Sequence, residues 1–217
     1  MGSRIDSGLY YAALQRRDLV KSSDKHPHII VRDEQPLSLE PPLKLLLEDF
    51  VTPKQLFYIR NHGNIPEIGA DRYRLTVSGM VESPIELSLE EIRGEFPKES
   101  VTATLHCADN RREDLMEVAE IPGELPWSSG AIGNARWSGV PLGEALRAAG
   151  AGKEAQHVAF TGLDKIGEEK RSTSNFGGSV PVEKGASSEI LLAYEMNDEP
   201  LSTEHDFPLR VVWCPVI

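Results

Sequence analysis

Cys107 is the residue with the most distinctive chemistry in this sequence. It directly follows a run rich in β-branched residues at 101–105, so we expect it where a strand leads into a loop, a common place for functional sites. Arg111 and Arg112 follow within five positions, and nearby cations favour the thiolate form of cysteine. A thiolate is a soft metal ligand. Spacing alone also allows an ordinary buried thiol at a strand end.

The composition argues against several classes of function. The chain has 217 residues, of which 40% are hydrophobic, and no apolar run is long enough to span a membrane. A net charge of −11 disfavours a nucleic-acid partner or an anionic membrane surface. Two cysteines, Cys107 and Cys214, form neither a disulfide framework nor a zinc CxxC pair. We therefore expect an intracellular, disulfide-free protein, and the pattern does not choose between mitochondrion, peroxisome and cytoplasm.

The elements that position Cys107 are predicted to be mostly strands. The predicted strands cover residues 73–78, 101–105, 157–163, 190–194 and 209–213, and a loop is predicted at 165–178. Three short helices are predicted, beginning at Thr52-Pro53, at Ser88 with capping-box spacing, and at Pro141. Strands outnumber helices, which indicates the α+β class.

Polarity divides the chain near residue 40. Residues 1–40 are polar and weakly periodic, and they are predicted to be a surface extension or a mobile one. Glu40-Pro41-Pro42 then interrupts the chain. Residues 41–217 are predicted to form one folded domain.

Six ordered motifs resemble the sulfite oxidase and eukaryotic nitrate reductase family. The sequence TLHCADNRR at 104–112 is similar to the family signature TLQCAGNRR. The other matches follow in the family's order: FYIRNHG at 57–63, WSSGAIGNA at 127–135, HVAFTGLD at 157–164, LLAYEMN at 191–197 and HDFPLRVV at 205–212. The resemblance covers residues 43–212, and six motifs in order argue against coincidence.

The resemblance implies a molybdenum–molybdopterin cofactor and a β-rich molybdopterin-binding fold over residues 41–217. It makes Cys107 the metal ligand and, with Arg60 and Arg112, one of three catalytic residues. Guanidinium groups suit this role because they fork onto the oxygens of an oxyanion such as sulfite. The implied cofactor-binding residues are Tyr58, Ile59, Arg60, Asn61, His62, Asp164, His205 and Arg210. Trp127 is expected either in the core or in a wall of the substrate pocket.

The sequence departs from the family pattern at two glycines and at its end. Asp109 and Asp206 stand where the family has glycine, and each adds a negative charge beside an expected anion site. After residue 212 the family continues through VPGVIGARSVKW into a dimerisation β-sandwich, which this sequence lacks. We therefore expect a C-terminally truncated domain without the family's homodimer interface.

The function that the resemblance implies is oxidation of sulfite to sulfate by oxygen-atom transfer at molybdenum, a reaction of sulfur metabolism. Electrons would pass to oxygen or a cytochrome. Two alternatives are a nitrate reductase-type molybdenum domain and an inactive truncated remnant that acts as a binding module. A zinc site on Cys107 and nearby histidines lacks the usual ligand spacing.

Overall fold

The computed structural model describes residues 24–166 and 174–214, which form two compact units. The first unit combines the described residues up to Arg60 with His106–Gly133. The second combines Asn61–Leu105 with the described residues from Asn134 onward. Twelve strands and five short helices lie within the described residues, and the predicted β-rich α+β class is confirmed.

The strands are β1 Ile30–Glu34, β2 Leu37–Glu40, β3 Ile59–Arg60, β4 Arg74–Val77, β5 Ile85–Ser88, β6 Glu99–His106, β7 Ile132–Pro141, β8 His157–Ile166, β9 Ser174–Pro181, β10 Ile190–Met196, β11 Glu199–Pro200 and β12 Arg210–Trp213. The helices are α1 Leu43–Leu46, α2 Leu89–Glu95, α3 Arg112–Met116, α4 Leu142–Ala148 and α5 Val182–Gly185. A 3-10 turn covers Thr203–His205.

The first unit is organised around a three-stranded antiparallel sheet in the order β1-β2-β3. Leu39 lies opposite Ile59 across β2 and β3, and both pack with Ile29 in a small apolar cluster. Ser38 lies opposite Arg60 in the same register. The sheet therefore fixes the position of the segment that carries Arg60.

The predicted extension at residues 1–40 is ordered over its last part. Residues 30–40 form the hairpin of β1 and β2, and Leu39 and Glu40 are fully buried. The polarity of this segment did not predict the hairpin. One of its buried residues, Glu40, is charged, and its hydrogen-bond partners lie in a distant segment of the sequence. Residues 1–23 lie outside the described part of the chain, and the predicted domain boundary at residue 40 remains a prediction.

The second unit contains the largest sheet, in the order β11-β10-β7-β6, with β12 also paired to β10. β10 is buried along almost its whole length because it pairs antiparallel with β7, β11 and β12. α4 packs beside it, with Leu142, Leu146 and Leu192 in one cluster, and α5 packs against β8, β9 and α4. α2 begins at a capping box, as predicted: the Ser88 hydroxyl accepts from the amide of Glu91, and the Glu91 carboxylate accepts from the amide of Ser88.

Two local predictions are wrong. The helix predicted after Thr52 is a single turn, because the chain enters the β2–β3 pairing at Ile59 immediately afterwards. The loop predicted at 165–178 is partly strand: β8 continues through Asp164 to Ile166, and β9 begins at Ser174. The polar, glycine-rich sequence there is held in strand form by cross-strand hydrogen bonds between β8 and β9.

Candidate functional site

The Cys107 loop, residues 107–110, lies in the first unit and directly follows the last residue of β6, as predicted. The Cys107 amide donates to the carbonyl of Ala131 at 2.9 Å, and the Cys107 carbonyl accepts from the amide of Asn110 at 3.0 Å. The side-chain oxygen of Asn110 in turn accepts from the amide of Ala131 at 2.9 Å. These three hydrogen bonds hold the backbone on both sides of the thiol in one conformation.

Glu40 binds the backbone of residues 128–130, which lead into Ala131, the residue that accepts a hydrogen bond from the Cys107 amide. Its fully buried carboxylate accepts hydrogen bonds from the backbone amides of Ser128 and Gly130, both at 2.9 Å, and forms a close ion pair with Arg32. Gly130 is required here, since a Cβ at this position would overlap the carbonyl oxygen of Pro41. A buried carboxylate with three donors is stable because its desolvation is offset by charge-assisted hydrogen bonds.

The environment of Cys107 favours the neutral thiol. Burial raises the pKa of Cys107, and the Asp109 carboxylate raises it further, while the Asp109 amide and the guanidinium groups of Arg60 and Arg112 lower it less. Arg112 thus lowers the pKa of this thiol in the predicted direction, but burial outweighs its effect in the protein alone. A metal ion that binds this sulfur has to displace the proton.

Arg112 is held between two carboxylates of the first unit. One terminal nitrogen, Nη1, donates to Glu124 at 2.5 Å, and the other, Nη2, forms a close ion pair with Asp109. Arg112 and Asp109 are largely buried, with side-chain exposures of 16% and 23%. Asp109 does not adopt the left-handed conformation typical of glycine. Asp109, the first departure from the family pattern, therefore differs from glycine here in its charge and not in its backbone conformation.

The segment at 57–60 places the other expected residues of the first unit. Phe57 is buried and its ring stacks on Tyr58, with centroids 5.2 Å apart. A Cβ on Gly133 would come within 2.5 Å of the Phe57 ring, so this glycine allows the close packing. Ile59 is fully buried in the sheet core, and Arg60 lies next to it and acts electrostatically on the Cys107 thiol.

Two groups of expected cofactor contacts lie in the second unit. Asn61 and His62 follow β3, and the exposed His62 ring stacks on Phe176 of β9, with centroids 5.2 Å apart. Asp164 lies within β8, beside Gly162, whose carbonyl accepts from the side-chain amide of Asn175 at 2.7 Å. Asp164 thus lies within β8, whereas the sequence had placed it where the predicted strand at 157–163 ends.

The segment at 205–210 also carries expected contacts. His205 is buried, with an exposure of 2%, and Asp206 adopts the left-handed conformation, with φ 67°. This aspartate therefore takes up the backbone geometry for which glycine is favoured. Its carboxylate pairs with Arg210 at 3.0 Å, and the Arg210 guanidinium lies 5.5 Å from the ring centre of Trp137.

The donor set around Cys107 fits a metal that brings most of its own ligands. Within residues 24–166 and 174–214, no three His, Cys, Asp or Glu side chains are grouped so that they could hold a metal ion. A metal on Cys107 would therefore take its other ligands from a cofactor, as a dithiolene-bearing pterin provides. Both cysteines are free thiols. Trp127 is fully buried, which assigns it to the core.

A soft ligand at a strand exit, arginines beside it and a β-rich α+β fold define a class of cofactor-dependent oxidoreductase domains. The chain belongs to the family of the oxidoreductase molybdopterin binding domain, whose model matches residues 62–217. The predicted family and its molybdenum cofactor class are confirmed. None of the helices in the described part of the chain combines the length and the apolar composition needed to cross a bilayer.

Individual relatives agree with this membership. The chain is 44% identical over 193 residues to the sulfite oxidase of Gallus gallus, covering 87% of this chain and 41% of that protein. It is 35% identical over 214 residues to an inducible NADH nitrate reductase of Glycine max, covering 95% of this chain and 23% of that protein. The crystal structure of the sulfane dehydrogenase SoxCD from Paracoccus pantotrophus matches with a TM-score of 0.70 and 28% identity, over 89% of this chain and 47% of that one. The chain thus spans less than half the length of these three proteins.

Glu40, Arg32 and Glu124 are residues of this site that sequence reasoning missed. Glu40 stood out only as the start of a break before two prolines, and nothing in the adjacent sequence indicates its buried partners. Those partners lie 88 and 90 positions away, at Ser128 and Gly130.

Proposed function

We propose that this chain forms the molybdenum-binding and oxyanion-binding part of a sulfite-oxidising enzyme. The observation that carries this proposal is the half-buried Cys107 thiol, on which the guanidinium groups of Arg60 and Arg112 act electrostatically within the same unit. The membership in the molybdopterin-binding family and the sulfite oxidase relatives support it.

The proposed reaction oxidises sulfite with water to sulfate, two protons and two electrons. When bound, the molybdenum cofactor supplies the oxygen-atom transfer and the two-electron redox capacity that side chains lack. The electrons then pass to an acceptor, either oxygen or a cytochrome-type protein.

Each proposed catalytic residue has a role that its chemistry supports. Cys107 holds the metal after losing its proton, because a thiolate is the soft ligand this centre needs. Arg60 and Arg112 bind and orient the oxyanion through charge-assisted hydrogen bonds. The backbone hydrogen bonds of Cys107 to Ala131 and Asn110 keep the sulfur in place during turnover.

The cofactor's organic part is proposed to contact the residues that match the family's cofactor-binding positions. These residues are Tyr58, Ile59, Arg60, Asn61, His62, Asp164, His205 and Arg210. Histidine and arginine side chains suit phosphate oxygens, and a carboxylate suits the N–H groups of a pterin ring.

Nitrate reduction is the second candidate function, and the Glycine max relative favours it. The two reactions differ in the charge of the substrate and in the direction of electron flow. Assays with sulfite plus an oxidant and with nitrate plus a reductant therefore separate them. We expect turnover with sulfite, and turnover with nitrate alone would reverse the order of the two candidates.

The test of metal binding is Cys107→Ser, made in the full chain and expressed with molybdenum cofactor supply. We expect the serine variant to lose bound molybdenum, measured per mole of protein, because a hard hydroxyl is a poor substitute for a thiolate. Cys214→Ser is the matched control, since Cys214 is also a half-buried thiol whose pKa burial raises. Equal molybdenum in both variants would remove Cys107 from the metal site.

A further inference from the structure

Two carboxylates already take up donors of Arg112 that an oxyanion could use. Asp109 and Glu124 each take one terminal nitrogen of the guanidinium. Of the two, Asp109 is the more buried, with a side-chain exposure of 23% against 46% for Glu124. Its charge is therefore less screened by water and its effect on an incoming anion is larger.

A neighbouring ion pair provides an internal reference. Arg111 and Asp114 have the same spacing of three residues and contact at 2.5 Å, but their side chains are 68% and 52% exposed. Exposed ion pairs of this kind contribute little to the free energy of folding. The Asp109 and Asp114 carboxylates thus differ in how deeply they are buried and in the arginine with which they pair.

We propose that Asp109 determines the anion specificity of the Cys107 loop, because its carboxylate occupies the oxyanion position on Arg112 and disfavours anions in proportion to their charge. This inference rests on the proposed function only in taking Arg112 to be an oxyanion contact. An anion that binds Arg112 has to share the guanidinium with Asp109 or displace it. Repulsion grows with the product of the charges, so a dianion is disfavoured more than a monoanion.

The test is the binding of inorganic sulfate and of nitrate to the purified full chain, measured by isothermal titration calorimetry at fixed low ionic strength. Asp109→Asn removes the charge and keeps the shape. We expect it to tighten nitrate binding by about tenfold and sulfate binding by about the square of that factor. Asp114→Asn is the matched control and should leave both affinities within about twofold of the parent chain.

Two further variants make each outcome informative. Asp109→Gly removes the side chain altogether and should reproduce the gain, so the test does not depend on the folding of one variant. Arg112→Gln should weaken sulfate binding in the parent chain, and combined with Asp109→Asn it should abolish the gain. Circular dichroism and a cooperative thermal transition establish that each variant is folded.

The outcomes separate the inference from the proposed function. If Asp109→Asn and Asp109→Gly bind sulfate no more tightly than the parent while Arg112→Gln weakens binding, the role of Asp109 is overturned and Arg112 remains an anion contact. If the two anions gain equally, charge selection is overturned. If Arg112→Gln changes nothing, the oxyanion role of Arg112 fails, and with it the support this arginine gives to the proposed function.

Discussion

The buried carboxylate of Glu40 accepts a hydrogen bond from the backbone amide of Gly130 at 2.9 Å, across 90 positions of sequence. Gly130 immediately precedes Ala131, whose carbonyl accepts from the Cys107 amide. The hairpin of β1 and β2 is thus connected to Cys107, the proposed metal ligand, by the Glu40 carboxylate and the backbone of Gly130 and Ala131.

Replacement of Glu40 by glutamine tests this arrangement. The amide group would face a backbone N–H with another donor and would leave Arg32, 15% exposed, with only its longer ion pair to Glu113 at 3.6 Å. We expect the free energy of unfolding to fall by about 3 kcal/mol, measured by urea denaturation. Glu144→Gln is the control, because it removes the partner of the exposed Arg147 and should cost no more than about 0.5 kcal/mol. Equal losses in the free energy of unfolding of the two variants would contradict a stabilising role for the buried Glu40 carboxylate.

Arg112→Gln is expected to raise the KM for sulfite by about tenfold or more. The variant loses a charge-assisted contact of about 1.5–3 kcal/mol and leaves Asp109 and Glu124 without the cation between them. Steady-state kinetics of the cofactor-loaded protein measures this change, and Arg111→Gln should leave the KM unaltered because Arg111 is exposed. A KM that Arg112→Gln does not change would remove Arg112 from the substrate site.

Gly130→Ala is expected to destabilise the first unit. The added Cβ would overlap the Pro41 carbonyl and come within 2.9 Å of the Glu40 carboxylate, and backbone there can yield only by moving the hairpin. We expect a loss of about 1–3 kcal/mol in the free energy of unfolding. Gly94→Ala is the opposite case: it lies in α2 with open space around it, so alanine should stabilise by up to about 1 kcal/mol. This prediction is wrong if both alanine substitutions change the free energy of unfolding in the same direction.

Tyr73 gives the stability of the protein a dependence on alkaline pH. Burial raises the pKa of Tyr73 to about 12 from an ordinary value of 10.0, so the unfolded chain releases this proton first as pH rises. Its contribution to stability is complete below pH 10 and falls progressively between pH 10 and pH 12. Unfolding curves in this window, with the ultraviolet absorbance of tyrosinate, should show the effect, and Tyr73→Phe should flatten it. An unchanged pH profile in the phenylalanine variant would contradict the assignment.

Sequence reasoning succeeded where the determinants are local. The capping box at Ser88 and Glu91 needs only four consecutive residues, and it forms as predicted. Cys107 could be placed at a strand exit because the run before it is β-branched. The left-handed geometry of Asp206 agrees with the family's glycine at that position, whereas Asp109, at the other such position, is not left-handed.

Sequence reasoning failed where the partner is distant or the effect depends on burial. Glu40 looked like part of a polar extension because its hydrogen-bond donors come from residues 128 and 130. The net rise in the pKa of Cys107 was not predicted, because the number of adjacent arginines does not reveal how much solvent the sulfur loses. β9 was taken for a loop because its exposed, glycine-rich sequence depends on β8 for its hydrogen bonds.

The position of Glu40 has a practical consequence for recombinant work. The match to the family model starts at residue 62, and a fragment cloned to that boundary would keep Cys107, Arg112 and Ala131. The same fragment would lack Glu40, and the amides of Ser128 and Gly130 would lose their buried acceptor. Such a clone would keep the Cys107 motif at 104–112 but would lose both Glu40 and the segment that carries Arg60, so a failure to retain molybdenum would reflect the choice of boundary. Expression designs for this protein should therefore begin before Ile30, where β1 starts.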